Sequence, residues 1–349
     1  MARILAYDMN NFSVGETRAI CDRGWMVDGV SSTSGGGETS FVISKTVLQN
    51  GWFMPGRMVY IPHAKLPPYA GFVDTPIGLQ APAAVKIYNA EYLLKIRAPE
   101  RTQTLKGPVA DIARQMLEQV NDQEETFLRM GEMGGSGTYR EETLDQRSYW
   151  EQLNAMVLRS GSEMIFRPKI EPNDGNRLYI YIDILDRVGV DTDLLLHDGD
   201  NGNIVIQNAT MEGEIWNRVS GINGSSAAED RKIAGPYKDT TSIQAFRTRS
   251  RTVQFRSTQL NSTLDAQTFA SLKTSKSPIL RFDVLIKDRA DKGDPFRNIA
   301  PGNGVILHAA NVILPDGSKG WVGTARLMAM AYNEKTNTCG GRLEAYYNV

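Results

Sequence analysis

At 349 residues, 41% hydrophobic and 23% charged, the chain is long enough for two or three packed domains and too apolar for a disordered one. Its 39 basic residues against 40 acidic ones exclude a dedicated nucleic-acid or membrane-surface binder, whose footprint is an excess of base. The two cysteines, Cys21 and Cys339, stand at opposite ends without C-x-x-C spacing, so no zinc ribbon or disulfide framework is signalled and a reducing folding compartment fits. Residues 1–11 lack the basic start and apolar stretch of a signal peptide, and no run approaches the roughly 18 apolar residues of a membrane span. Neither a leader nor stable membrane insertion is expected.

From residue 1 to about 100 the pattern is short strands broken by glycine and proline, at 3–7, 41–44, 57–61, 84–88 and 92–96. Strands at this spacing predict a sandwich or small barrel. The stretch 31–40, SSTSGGGETS, is small and polar and reads as a loop. It is no phosphate cradle, because no Gly-Lys-Ser/Thr follows the glycines.

From about 101 to 203 the period becomes helical. Pro108 opens a helix on which Val109, Ile112, Ala113, Met116, Leu117 and Val120 recur at offsets of three and four. Ser148 with Glu151 forms a capping box for a second helix. Its buried side is Trp150, Leu153, Val157 and Leu158, and Gly161 sits where a terminating glycine belongs. Strands follow at 163–167 and 178–185. In the latter Leu178, Ile180, Ile182 and Ile184 alternate with Tyr179, Tyr181, Asp183 and Leu185, the pattern of a sheet with one wet face.

From 204 to the end strands return. An extended segment (204–221) leads to an arginine-bearing strand (242–255), a capped helix (262–272), Pro278 and an alternating strand (279–287). A glycine turn at Gly302 to Gly304 follows, and three more strands run to the end. Pro315, Asp316, Gly317 and Ser318 make the turn between the runs 305–314 and 321–332. The last strand shows Leu343, Ala345 and Tyr347 on one face. The chain is thus mainly β, with two β modules (1–100 and 204–349) flanking an α+β domain with two helices (101–203, with 236–280 as its candidate completion).

No constellation announces catalysis. His63, His197 and His308 are isolated in sequence and outside any ligand spacing, and read as surface or loop histidines. Gly134 to Gly137 has a serine but neither the strand nor the helix of a nucleophile elbow. Asp183, Asp186, Asp191, Asp193, Asp198 and Asp200 form a candidate acidic surface. Within it, 198–203 resembles a calcium loop only superficially. An EF-hand starting at Asp198 needs an oxygen ligand at its fifth position and Glu at its twelfth, where this chain has Gly202 and Ala209. A tight turn with solvated carboxylates is the plain reading, with a different calcium site or a negative partner surface as alternatives. Arg247, Arg249 and Arg251, at period two on a strand, would project from one face. They read either as a protected edge or as contacts to a carboxylate patch on another subunit or partner.

The order of elements resembles a known assembly part. A first β region ends in Tyr69-Ala70-Gly71-Phe72-Val73-Asp74. The helix from Gly107-Pro108 and the helix led by Ser148-Tyr149-Trp150-Glu151-Gln152-Leu153 follow, the second ending in Ser160-Gly161-Ser162-Glu163. Late in the chain come the arginine segment, the helix, Pro278 and Gly302-Asn303-Gly304-Val305. This order is similar to the tail-tip or baseplate hub proteins of long-tailed phages, related in fold to contractile-phage hubs and the type VI secretion spike base. The family often has Gly-Asp before Val where this chain has Gly302-Asn303-Gly304, and the 31–40 loop has no counterpart.

The resemblance implies that the two β modules are tail-tube-like barrels. Three copies would make a pseudo-sixfold ring joining the sixfold tail tube to a threefold tip, with a channel for DNA or tape measure. It implies a virion tail-tip location after assembly in the host cytoplasm. Partners would be a distal tail or tail-tube protein, the tape-measure protein and tail fibre or spike proteins, with DNA only in transit. Neither enzymatic activity nor a cofactor is expected. A channel surface neutral or acidic is expected too, since a basic lining would hold the DNA backbone. Two readings from other classes stay open: a β-rich carbohydrate-active enzyme, needing two carboxyls about 5 to 10 Å apart in an aromatic cleft, or a glycan-binding adhesin module.

Overall fold

The computed structural model describes residues 1–26, 38–77, 82–134, 139–223, 231–255, 261–314 and 317–346. Strand accounts for 49% of the structure and helix for 23%, so the fold is mainly β with helical insertion, as the pattern of short strands predicts.

Strands β1 (Ala2–Tyr7) and β2 (Ser13–Ala19) pair as a hairpin, and β3 (Arg23–Met26) leaves it. Next come β4 (Glu38–Ile43), the short helix α1 (Lys45–Gln49), β5 (Met58–Ile61), β6 (Tyr69–Ile77) and β7 (Ala83–Tyr88). Apart from β3 the strands form one antiparallel sheet in the order β2-β1-β5-β6-β7-β4. The end strands β2 and β4 come back near one another without pairing, so the sheet curls into a half-barrel. Alternation assigns its two faces: Ile4 and Ala6 point into the curl with Val59, Val85 and Ile87, while Leu5 and Tyr7 face the next layer. Residues 31–37 of the expected loop lie outside the described residues. Glu38 to Ser40, expected in that loop, instead run in β4 opposite Tyr88 to Lys86.

The middle layer contains α2 (Glu91–Lys95), β8 (Gln103–Pro108), α3 (Val109–Gln123), β9 (Leu128–Gly134), β10 (Tyr139–Leu144), α4 (Tyr149–Ser160), β11 (Glu163–Glu171) and β12 (Arg177–Leu185). Residues 92–95 are helical, with Ile96 at the C-cap, where a strand is predicted over 92–96. Adjacent Leu93 and Leu94 are both buried, and Glu91 pairs with Lys95 one turn on at 3.6 Å. So short an apolar run carries too little period to separate helix from strand. The stripe of α3 is buried at all six expected positions. In α4 the caps form as the sequence predicts: Ser148 Oγ accepts from the Glu151 amide at 3.2 Å, and Gly161 takes φ 73°. Trp150, Leu153 and Val157 are buried there with Tyr149 and Met156. Leu158, expected inside, is exposed, because it lies about 100° beyond Val157 around the helix. Both helices share one core with the sheet β11-β12-β9 and with Tyr7, Met58 and Phe72 of the first half-barrel. β12 is the central strand, and the wet face predicted for it is mostly covered: Tyr179 and Asp183 are buried with Ile180, Ile182 and Ile184.

The remaining elements are β13 (Asp191–His197), β14 (Ile204–Glu212), β15 (Arg218–Asn223), β16 (Ile233–Lys238), α5 (Thr240–Phe246), β17 (Ser250–Phe255), α6 (Asn261–Ser275), β18 (Ile279–Lys287), α7 (Pro295–Asn298), β19 (Gly304–Ile313), β20 (Lys319–Asn333) and β21 (Thr338–Tyr346). A second curled sheet follows the path β13-β19-β20-β21-β18-β14, with end strands β13 and β14 close together. β18 shows the predicted alternation, with Leu280, Phe282, Val284 and Ile286 buried. Strands β16-β15-β17 form a separate small sheet with α6 packed on it, set in sequence between β14 and β18. Residues 242–255 are not the single strand predicted. They divide into the end of α5, a break at Arg247 with φ 61°, and β17. Asp239 caps α5 by accepting from the Ser242 amide at 2.8 Å, a helix start that the alternating arginines obscure in the sequence. Pro315 and Asp316 of the predicted turn, Gly135 to Gly137 of the glycine loop, and Tyr347 lie outside the described residues.

Two pieces of the first half-barrel are built into the second. β3 pairs antiparallel with β20, from Arg23 opposite Tyr332 to Met26 opposite Ala329, further along β20 than its pairing with β19. Leu66, in the loop between β5 and β6, is buried in the core of Phe296, Val305 and Tyr332. His63 Nδ1 shapes that loop by accepting from the Lys65 and Leu66 amides at 3.1 and 2.9 Å. Lys65 reaches Asp288 and Asp294, each at 2.8 Å.

Leu66→Ala should lower urea-measured stability by about 3 kcal/mol through the cavity left in the second core. An unchanged midpoint would show that the loop is not seated there. Ser148→Ala should cost about 1 kcal/mol by removing the α4 cap, read from the same titration.

Candidate assembly surface

Arg247, Arg249 and Arg251 do not form a row on one strand. Arg247 ends α5, Arg249 lies in the link, and Arg251 sits in β17. Their backbone is nevertheless held tightly, through fully buried Asn217. Its Nδ2 donates to the Arg247 carbonyl at 2.7 Å and its Oδ1 accepts from the Arg249 amide at 2.8 Å. The three side chains are exposed, and none forms an ion pair with a described residue. Arg251 lies 5.9 Å from the Trp216 ring. Because β17 is an edge strand of its sheet, the result is a cationic edge on a fixed support.

The six aspartates do not form one acidic surface. Asp183 is buried: its Oδ1 accepts from the Glu132 amide at 2.7 Å and its other oxygen pairs with Arg167. A Cβ at Gly131 would overlap that carboxylate, so the close approach of β9 requires glycine there. Asp191 pairs with Arg187 at 3.1 Å, and this hydrogen bonding holds its carboxyl below the usual range. Asp198 Oδ1 accepts from the Ala310 amide at 2.6 Å, while Asp186, Asp193 and Asp200 are exposed. The segment 198–203 is a tight turn: the Gly202 amide donates to the Gly199 carbonyl at 2.8 Å, and buried Asn203 accepts from the His197 amide at 2.9 Å. Among the described residues, no group of three or more His, Cys, Asp or Glu side chains is placed to hold a metal ion.

Residues that sequence reasoning missed hold the middle layer to the second half-barrel. Glu163, at the start of β11, receives a two-pronged ion pair from Arg326 of β20. The same guanidinium donates to the Val188 carbonyl at 2.6 Å and to the Gly302 carbonyl at 2.9 Å. Glu163 also accepts from the Val188 amide at 2.6 Å. Glu163 closes the Ser160-Gly161-Ser162-Glu163 phrase and Arg326 lies in no motif, so nothing local in the sequence signals that the two pair. Gly302 has φ 87°, and a Cβ there would overlap Val188, so the predicted glycine turn is also a packing requirement.

Beside this clamp is a cavity of about 690 Å³ where the three sheets meet, walled by Trp25, Pro68, Phe166, Tyr181 and Pro301. Glu132 and Arg167 on its wall pair with one another at 3.5 Å, and Arg167 also pairs with buried Asp183. Midway along β19, His308 stands directly across from His197 of β13. Their rings are 4.9 Å apart.

Arg326→Met should cost about 3 kcal/mol by leaving Glu163 unpaired in a partly buried site, and Glu163→Gln in that background should recover part of the loss. Additive losses in this pair, measured by chemical denaturation, would contradict the clamp. Gly131→Ala should lower the melting temperature by displacing Asp183, whereas Gly134→Ala on the same strand, where a Cβ meets Leu185 Cδ2 at an ordinary 3.5 Å, should change it less.

No protein-family model and no curated protein sequence matches the chain. Solved structures do. A prophage tail protein, gp18, from Listeria monocytogenes EGD-e is similar with a TM-score of 0.61 and 9% identity, over 99% of this chain and 94% of that one. The 43 kDa tail protein of prophage MuSo2 from Shewanella oneidensis gives 0.58 at 8% identity, over 99% and 98%. The tail protein from Neisseria meningitidis MC58 gives 0.57 at 14% identity, over 99% and 96%. An E. coli component of the type VI secretion system, described as similar to the phage T4 tail proteins gp27 and gp5, gives 0.51 at 8% identity, over 95% and 74%. At these identities the likeness is one of fold: the chain has the fold of phage tail proteins along its whole length.

Proposed function

We propose that the chain is a structural, non-catalytic component of a phage tail, and within that class a tail-tip or baseplate hub. The observation that carries this reading is the end-to-end correspondence with three tail proteins, which spans 99% of the chain in each case. A fold shared only as a common β scaffold would match one module and leave the middle layer or the small sheet unaccounted for. The reading is supported by the two curled sheets, each with its end strands drawn together, which suit a wall of tube-like units.

In this proposal three copies close a ring whose six half-barrels meet the tail tube on one side and a threefold tip on the other. The docked partners are a distal tail or tail-tube protein, the tape-measure protein, and fibre or spike proteins. DNA is met only in transit, and the site of action is the tail tip of the virion. The exposed Arg247, Arg249 and Arg251 are the proposed contacts to carboxylates of another subunit or a tip partner. Their lack of carboxylate partners within the described chain favours this over a purely structural role.

Native mass spectrometry of the purified full chain should give a trimer. A stable monomer with glycan-cleaving activity would overturn the reading in favour of a carbohydrate-active enzyme. Charge reversal at Arg247, Arg249 and Arg251 together should leave the melting temperature within about 0.5 kcal/mol equivalent of the parent, as for surface changes, while weakening assembly with its partners or itself. Assembly unchanged by that triple variant would remove the arginines from the interface. A lumen in the assembled ring lined mainly by Lys and Arg would contradict the neutral or acidic channel.

A further inference from the structure

Three histidines occur in the chain, and the fold treats them differently. His63 is used structurally, with Nδ1 accepting from two backbone amides. His197 and His308 are brought together from distant parts of the sequence by the parallel pairing of β13 with β19, where they are direct partners in the register. Their rings lie 4.9 Å apart at 46°, too tilted for parallel stacking. No ring nitrogen of either is hydrogen-bonded to a described residue. Both side chains line one open cavity of about 800 Å³, with Asp193, Asp200, Asn298 and Lys292 on its other walls.

The surroundings hold this geometry in place. The turn 198–203 folds back over the His197 ring, and a Cβ at Gly199 would overlap the imidazole, so the ring has its space only because glycine stands there. Asp198 fixes the turn to the far strand through the Ala310 amide at 2.6 Å, and the Asp198 amide donates to the His308 carbonyl at 3.3 Å. Asn203 fixes the base of the turn through the His197 amide and the Leu195 carbonyl, at 2.9 and 2.8 Å. Two imidazoles are thus presented side by side, on fixed backbone, at the wall of one open cavity.

We propose that the paired imidazoles of His197 and His308 form a two-ligand site for a borderline divalent ion of the zinc, nickel and copper class. Neutral imidazole is the ordinary ligand of these ions, whereas calcium takes six to eight oxygens, which this pair does not offer. No third protein ligand is grouped with them among the described residues, so water fills the other positions. The ion would tie edge strand β13, hydrogen-bonded into the sheet on one side, to β19. Binding to the folded chain alone then raises its stability by linkage. This site stands apart from the tail assignment, and neither depends on the other.

The test is calorimetric titration of the tag-free full chain with NiCl2, alongside His197→Gln, His308→Gln and His63→Gln. One saturable Ni2+ per chain is expected. It should weaken in each of the first two variants by more than the ~10–100-fold typical of losing a mere supporting contact. His63→Gln should bind as the parent does. Electron paramagnetic resonance of the parent chain with one equivalent of Cu2+, which needs no variant, should show two coupled nitrogens. Absence of saturable Ni2+ binding below millimolar concentration would overturn the proposal. So would parental affinity in both His197→Gln and His308→Gln, or a copper spectrum with no coupled nitrogen.

Discussion

The structure depends on one polar clamp, the pairing of Arg326 with Glu163. The middle layer and the second half-barrel are fixed there by a guanidinium that spends its donors on a carboxylate and two carbonyls. Glu163 opens β11 of the middle layer, Arg326 lies in β20 of the second half-barrel, and Val188 belongs to the segment that joins the two. A pair this enclosed is a poor source of net stability against a hydrophobic replacement, because both ions lose water. What it supplies is orientation: the planar fork accepts one relative placement of β11, β20 and the 188–190 segment.

Around this clamp the two half-barrels are joined by exchange rather than by a flat interface. β3 leaves the first sheet and becomes a strand of the second, and Leu66 fills part of the second core from a first-module loop. Buried Arg23, paired with Glu334 and lying 4.8 Å from the Tyr332 ring, continues the seam at the end of β20. Backbone pairing, a core side chain and the ion pairs of Arg23 and Lys65 each cross the same boundary. These contacts keep the two half-barrels in register, which separate modules on a flexible linker would not do.

Much of this was legible in the sequence, and the failures have physical causes. The stripe of α3, the caps of α4 and the alternation of β18 were readable because each rests on local chemistry with a clear period. The helix at Glu91–Lys95 was not, since five residues carry no decisive period. The arginine segment misled because Arg247, Arg249 and Arg251 imitate period two, while the Asp239 cap that starts α5 sits outside the alternation. Asp183 looked exposed because its neighbours alternate. β12 is covered on both faces, and its carboxylate is met by Arg167 from β11 and an amide of β9. The clamp, the strand exchange and the His197 and His308 pair all join residues far apart in sequence, and a single sequence carries no signal for such contacts. The resemblance in element order reached the fold of these tail proteins for the same reason that local reading did: order is a property of the chain, whereas contacts are a property of the fold.

In the proposed assembly the whole chain is one mechanical part, two curled sheets locked through a middle layer and repeated around an axis. Electron cryomicroscopy of the assembled protein tests that most directly. The account predicts a threefold ring around an open lumen, with six half-barrel densities in its wall, two from each chain. A particle in which only one half-barrel of each chain reaches the lumen, or in which no closed ring forms, would contradict it.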